Sequence, residues 1–158
     1  MAADQLMNTF NFRIALNRSD GASPALGDGG FQECTGLDIE MDVQELVEGG
    51  RNDGTVRLTG RGKFSPLVLK RGMLCPASGP ADSALWAWLQ GVLEGVRPVA
   101  RYDGVIEVLS SDRERTLATW VFDRALPSKI AGPHLNAKTG EIAIEELTLQ
   151  HEGLRLRF

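Results

Sequence analysis

Apolar and polar residues alternate along most of this chain with a period of two. Phe10, Phe12, Ile14 and Leu16 alternate with Asn11, Arg13, Ala15 and Asn17, which predicts a strand buried on one side. Leu37, Ile39, Met41 and Val43 alternate with Asp38, Glu40, Asp42 and Gln44 in a second strand. Val56 and Leu58 alternate with Arg57, Thr59, Arg61 and Lys63 in a third, and the Gly-rich run 47–55 between these two predicts a long β-hairpin. Residues 64–70 predict another strand, with Pro66 placing it at a sheet edge or a bulge. Residues 105–109, then Ala118, Trp120 and Phe122, predict two more. Ile142, Ile144, Leu147 and Leu149 predict a last strand, with a β-bulge near Glu145 and Glu146 to restore the broken period.

One segment changes period. In residues 81–95 and just beyond, Leu85, Trp86, Leu89, Val92, Leu93 and Val96 fit one helical face, with Asp82 or Ser83 as the cap and Gly95 as the stop. Leu85, Trp86, Leu89 and Leu93 are the expected core face, and Trp88 lies off it. The sum is a mainly β protein: an antiparallel β-sandwich or barrel with one flanking α-helix, in a single domain over residues 1–158.

Length and composition agree with that picture. A chain of 158 residues with 42% hydrophobic and 24% charged residues can build a core of its own. The formal charge of −4 argues against nucleic-acid binding by net charge. Cys34 and Cys75 are the only cysteines and are expected to stay reduced. The N-terminus has no signal-peptide pattern, which points to synthesis in a cytoplasm.

Catalytic signals are weak. His134 and His151 show no paired-ligand spacing with the cysteines, so neither a metal nor any other cofactor is expected. No nucleophile elbow occurs, and residues 60–65 (GRGKFS) fail the phosphate-loop pattern, because Phe64 follows the lysine. A hydrolase built on Glu145, Glu146 or His151 would need a cleft that joins them, and a small-ligand carrier would need an apolar barrel interior. The expectation is that the chain is not an enzyme.

Charge patterning is more informative. Residues 36–48 hold five acids and no base, whereas residues 51–71 hold six bases and one acid. Paired strands of this kind would set opposite charges on one face and help fix register.

Several motifs occur in an order that resembles a known family. They are residues 31–37 (FQECTGL), 48–52 (EGGRN), 69–72 (LKRG), 85–88 (LWAW), Trp120 with 125–129 (ALPSK), 132–137 (GPHLNA), 142–145 (IAIE) and 151–154 (HEGL). Together they resemble the inner tail-tube proteins of contractile phage tails and of extracellular contractile injection systems. The resemblance implies a structural subunit that forms hexameric rings, stacked into a hollow tube that sheath contraction drives through a target envelope. Implied partners are other copies of the chain, sheath protein, baseplate or hub and tube-terminator proteins, and protein or DNA cargo in the lumen. The implied location is a phage tail or tail-like particle, with an injection particle favoured over a DNA-conducting tail.

Site expectations follow from that resemblance. Asp38, Glu40, Asp42, Arg57, Thr59, Arg61 and Lys63 are expected to face the lumen, and Leu37, Ile39, Met41, Val43, Val56 and Leu58 the subunit core. Glu48, Gly49, Gly50, Arg51, Asn52 and Asp53 are expected to form a loop reaching an adjacent subunit or ring. The last strand, through Leu149 and His151, is expected to offer an edge to a neighbour.

Overall fold

A computed structural model describes residues 4–22, 25–26 and 30–157. Part of the predicted loop over residues 18–30 therefore falls outside the described residues. The strands are β1 (Phe12–Arg18), β2 (Phe31–Thr35), β3 (Ile39–Leu46), β4 (Val56–Phe64), β5 (Leu67–Gly72), β6 (Tyr102–Leu109), β7 (Thr116–Ala131), β8 (Ile144–Gln150) and β9 (Gly153–Arg157). The helix α1 (Ala84–Leu93) joins β5 to β6. All strand pairing is antiparallel.

Strand β7 organises the body. Its first half pairs with β6 on one side and β9 on the other, and its second half pairs with β8. From there the order runs β8–β5–β2 in one direction and β6–β1 in the other. Alternate residues of these strands turn inward and build one cluster. Ile14, Leu16, Ile106 and Phe122 come from one arm, and Phe31, Leu67, Leu69, Leu147 and Leu149 from the other. Each such side chain contributes about 1.5–3 kcal/mol of hydrophobic stabilisation when fully buried.

The helix closes the core with a face rotated from the expected one. Leu85 and Trp88 are buried, and Leu89 and Val92 are half-buried, which is the i, i+3, i+4, i+7 set. Leu93, expected in the core, is 77% exposed because it is the last helical residue and lies outside that set. Trp88, set aside by the sequence pattern, packs edge-on against Tyr102 and donates its indole N–H to the Ala100 carbonyl at 2.8 Å. A buried tryptophan usually needs such an acceptor. Trp86 is half-buried on the flank of the helix, near Gly132.

Three further expectations change. Strand β5 lies between β2 and β8, so it is not an edge; Pro66 sits just before it, in the break after β4. Strand β8 is also interior, paired with β5 and β7, and Leu149 is fully buried. Among the described strands β1, β2 and β9 lie outermost, and Leu26 bridges Leu16 on the outer side of β1. No bulge occurs at Glu145–Glu146, since β8 keeps an unbroken register with β5 from Ile144 to Leu149. The irregularity lies on β7, between Pro127 and Lys129.

Gly36 marks where the chain leaves the body for the hairpin. Its φ is +96°, and a Cβ there would run into the Pro66 carbonyl oxygen. Gly36→Ala is expected to cost about 1–3 kcal/mol from backbone strain and overpacking, read as a lowered melting temperature.

Candidate assembly surface

Beyond Gly36, β3 and β4 pair only with each other, as a two-stranded sheet apart from the body. Its residues are almost all exposed: Ile39 64%, Met41 46%, Val43 53%, Leu46 47% and Leu58 45%. The expected packing of Ile39, Met41, Val43 and Leu58 on the subunit core is therefore absent in the single chain. The hairpin runs away from that core instead, while Leu37 at its root is half-buried against it. A lone two-stranded hairpin is marginally stable in water, so bare apolar side chains of this number mark a surface that something else covers.

The register defines two faces. Ile39 pairs with Phe64, Glu40 with Lys63 and Met41 with Gly62; beyond a shift, Val43 pairs with Thr59, Gln44 with Leu58, Glu45 with Arg57 and Leu46 with Val56. The shift sets Gly60 and Arg61 opposite Asp42 alone, which is a β-bulge on β4. Gly60 permits it, because a Cβ there would meet the Asp42 carbonyl oxygen.

Side chains directly opposite each other share a face. One face thus holds Ile39, Met41, Val43 and Phe64 near the body, then Glu45, Arg57 and Thr59 toward the tip. The other holds Glu40, Asp42, Arg61 and Lys63 near the body, then Gln44, Leu46, Val56 and Leu58 toward the tip. The residues expected to share a lumen face divide between two: Arg57 and Thr59 project from the face away from that of Glu40, Asp42, Arg61 and Lys63. The extra residue in β4 shifts its side-chain parity relative to β3, and strict alternation in the sequence could not reveal it.

Charge on the hairpin is only partly compensated. Lys63 pairs with Asp42 at 2.8 Å, and Arg51 with Asp53 at 3.3 Å in the tip loop. Both pairs are exposed, a setting in which solvent screening leaves an ion pair little net worth. Among the described residues, Glu40, Glu45, Arg57 and Arg61 make no ion pair. The loop residues Glu48, Gly49, Gly50, Arg51, Asn52 and Asp53 are all exposed.

The candidate catalytic residues are not brought together. Glu145 turns into the core while its neighbour Glu146 turns outward to Lys70, so they form no carboxylate pair. Glu145 instead meets Arg71, and both are buried. The Arg71 Nε donates to Glu145 Oε1 at 2.6 Å and its Nη2 to Asp82 Oδ2 at 3.3 Å, while the Trp86 indole donates to Glu145 Oε2 at 2.8 Å. Period counting missed this buried ion pair because a charged residue occupies an inward position on each strand.

His151 lies between the rings of Phe64 and Phe122, at centroid distances of 5.4 and 5.9 Å. Burial lowers its pKa below the ordinary imidazole value, against smaller opposing effects of nearby backbone groups and Asp123. The neutral ring is thus favoured in the folded chain. Its contribution is present above the unfolded value of about 6.5 and is lost as pH falls below it toward the folded value. Thermal melts at pH 7 and pH 5 should show a smaller acid loss for His151→Phe than for the natural chain.

Burial pushes the Cys34 thiol up to about 11, while Cys75 is exposed, and the two are not bonded. Among the described residues, no cluster of His, Cys, Asp and Glu could hold a metal, and no helix is long and apolar enough to cross a membrane.

Comparison with known proteins adds the context for this surface. A family model described as "T4-like virus tail tube protein gp19" matches residues 8–155. No curated protein sequence matches significantly. Among solved structures, a chain in the 6-fold symmetrised anti-feeding prophage baseplate is 22% identical, with a TM-score of 0.77, covering 99% of this chain and 97% of that one. A chain of the sheath-tube complex of the extracellular contractile injection system PVC, in its extended state, is also 22% identical, with a TM-score of 0.71 and coverages of 96% and 91%. A third, from the tube-terminating cap of the anti-feeding prophage, is 21% identical, with a TM-score of 0.72 and coverages of 99% and 94%. These likenesses show a common fold over nearly the whole chain.

Proposed function

The chain belongs to the T4-like virus tail tube protein gp19 family, and from that premise we propose that it is the inner-tube subunit of a contractile injection particle. Copies close into hexameric rings, the rings stack into a hollow conduit, and sheath contraction drives the conduit through a target envelope. The observation that carries this reading is the hairpin of β3 and β4, whose apolar side chains are bare in the single chain. Ring closure covers them and removes the open edges of β2 and β9, which would otherwise invite unregulated pairing.

Asp38, Glu40, Asp42, Arg61 and Lys63 form the hydrated lumen wall in this reading, giving cargo little apolar surface to adhere to. The loop 48–53 reaches an adjacent subunit or ring. Sheath, baseplate or hub, and terminator proteins meet the tube at its outer surface and ends, and protein cargo occupies the lumen. The likeness to chains of the anti-feeding prophage and PVC assemblies supports an injection particle. A DNA-conducting contractile phage tail is the second reading, and the family description supports it.

Electron microscopy of particles assembled with the chain tests the proposal. Six-fold rings or stacked tubes containing it are expected. A strict monomer that never enters such particles, even with its neighbouring baseplate proteins present, would refute it.

A further inference from the structure

His151 stands where the hairpin meets the body. Its ring lies between Phe64, the last residue of β4, and Phe122 of β7, just before β9 begins at Gly153. Phe64 pairs with Ile39 and so closes the hairpin at its root, while Phe122 is fully buried in the core. Both ring nitrogens are buried, and among the described residues neither has a hydrogen-bond partner. A neutral imidazole leaves one N–H unpaired in this slot, whereas a protonated one leaves two and adds a charge. Burying an unpaired charge is costly. The surroundings offer a cation little. Phe64, Ser65, Phe122 and Gly153 carry no charge. The carboxylate that acts on His151 is Asp123 of β7, and Arg155 of β9 already holds it at 2.6 Å. Glu152, the next residue, is engaged by Arg101 and Arg124, both at 3.1 Å, and Lys63, beside Phe64, pairs with Asp42. Backbone groups of Ser65 and Gly153 favour the charged ring by less than burial opposes it.

We propose that His151 is a proton-operated latch for the β3–β4 hairpin: neutral, its ring fills the slot and holds the hairpin root against β7; protonated, it leaves the slot and frees the root to swing. The hairpin pairs with no strand of the body, so its direction rests on root contacts such as those of Leu37 and Phe64 with the core. The body keeps its own sheet and core, which makes the opening local. In the open form the ring meets water and titrates near the ordinary value of about 6.5. In the closed form burial holds its pKa lower. Acidification below about 6.5 therefore favours opening, by up to about tenfold per pH unit, until the closed form titrates as well. The latch is a property of the single chain and holds whether or not the chain enters a tube.

Hydrogen–deuterium exchange of the full chain at pH 7 and pH 5, with labelling times scaled for the intrinsic rate, tests the latch. Amides of residues 37–41 and 61–65 are expected to lose protection several-fold at pH 5, while those of β8 keep theirs. His151→Gln, which stays polar but takes no proton, and His151→Phe should abolish the difference. A root equally protected at both pH values overturns the latch. So does an equal loss in β8, which would be general acid unfolding, or a root loss that persists in the variants, which would belong to another group. If neither variant folds, an NMR titration of the natural chain decides. A His151 ring that titrates below about 6.5, with root amide shifts following the same curve, supports the latch. A ring that titrates at or above that value, or root amides that do not follow it, overturns it.

Discussion

Glu145→Ala is expected to destabilise the chain by about 3–5 kcal/mol, the usual consequence of removing one partner from a buried ion pair. For a chain of this size that is a fall in melting temperature of about 10 °C. Arg71 is 1% exposed, with the Phe31 ring 5.9 Å from its guanidinium carbon, and cannot turn to water without opening the core. Among the described residues its Nη1 has no partner, and losing Glu145 would leave Asp82, at 3.3 Å, as its one ion-pair partner there. Trp86 would lose its acceptor as well. The converse experiment is as informative. Replacing both members together, Arg71→Met with Glu145→Leu, removes both buried charges and should recover most of the loss, because well-packed apolar residues often match a buried ion pair. Chemical denaturation of the two single variants and the double variant measures both statements. A double variant no better than Glu145→Ala would show that the pair acts through its hydrogen bonds to α1 and its flank, and not through its charge.

Met41→Asp and Leu58→Asp should separate assembly from folding. Both residues are exposed in the single chain, 46% and 45%, and make no part of the core cluster. Exposed substitutions away from special features usually shift stability by no more than about 0.5 kcal/mol, so the melting temperature of the unassembled chain should hardly move. In a tube every copy would carry the new charge into a contact, forfeiting about 1.5–3 kcal/mol of burial per site before the cost of desolvating the carboxylate. Tube formation should therefore fail while the chain stays folded. Circular dichroism paired with sedimentation of assembled material reads the two effects separately. Variants that assemble normally would exclude the hairpin as the joining surface.

The sequence pattern foretold the β-rich architecture and the hairpin well, because period-two alternation is strong wherever a strand has one apolar side. It failed where inward positions were not apolar. Glu145 takes the first inward slot of β8, ahead of Leu147 and Leu149, and its burial makes the alternation look broken when the register is regular. Arg71 does the same on β5. The helix phase was ambiguous because residues 84–89 (ALWAWL) are apolar on almost every side; the hydrogen bond of Trp88 to Ala100 decides it. The faces of the hairpin needed the register, since one inserted residue in β4 exchanges them. Strand β9 was missed because residues 153–157 (GLRLR) are short and heavily charged.

The length of β7 has a mechanical consequence. Sixteen residues at about 3.3 Å each give a contour of roughly 50 Å, interrupted by Arg124 at a φ of +51° and by a register irregularity between Pro127 and Lys129. Strands β6, β9 and β8 are all laced to it along its flanks. A pull along β7 therefore loads the bonds to β6 and β9 on its first half, and those to β8 on its second, in shear, and each row slips only when its bonds give way together. A subunit thrust lengthwise against resistance would be stiffened in the same way.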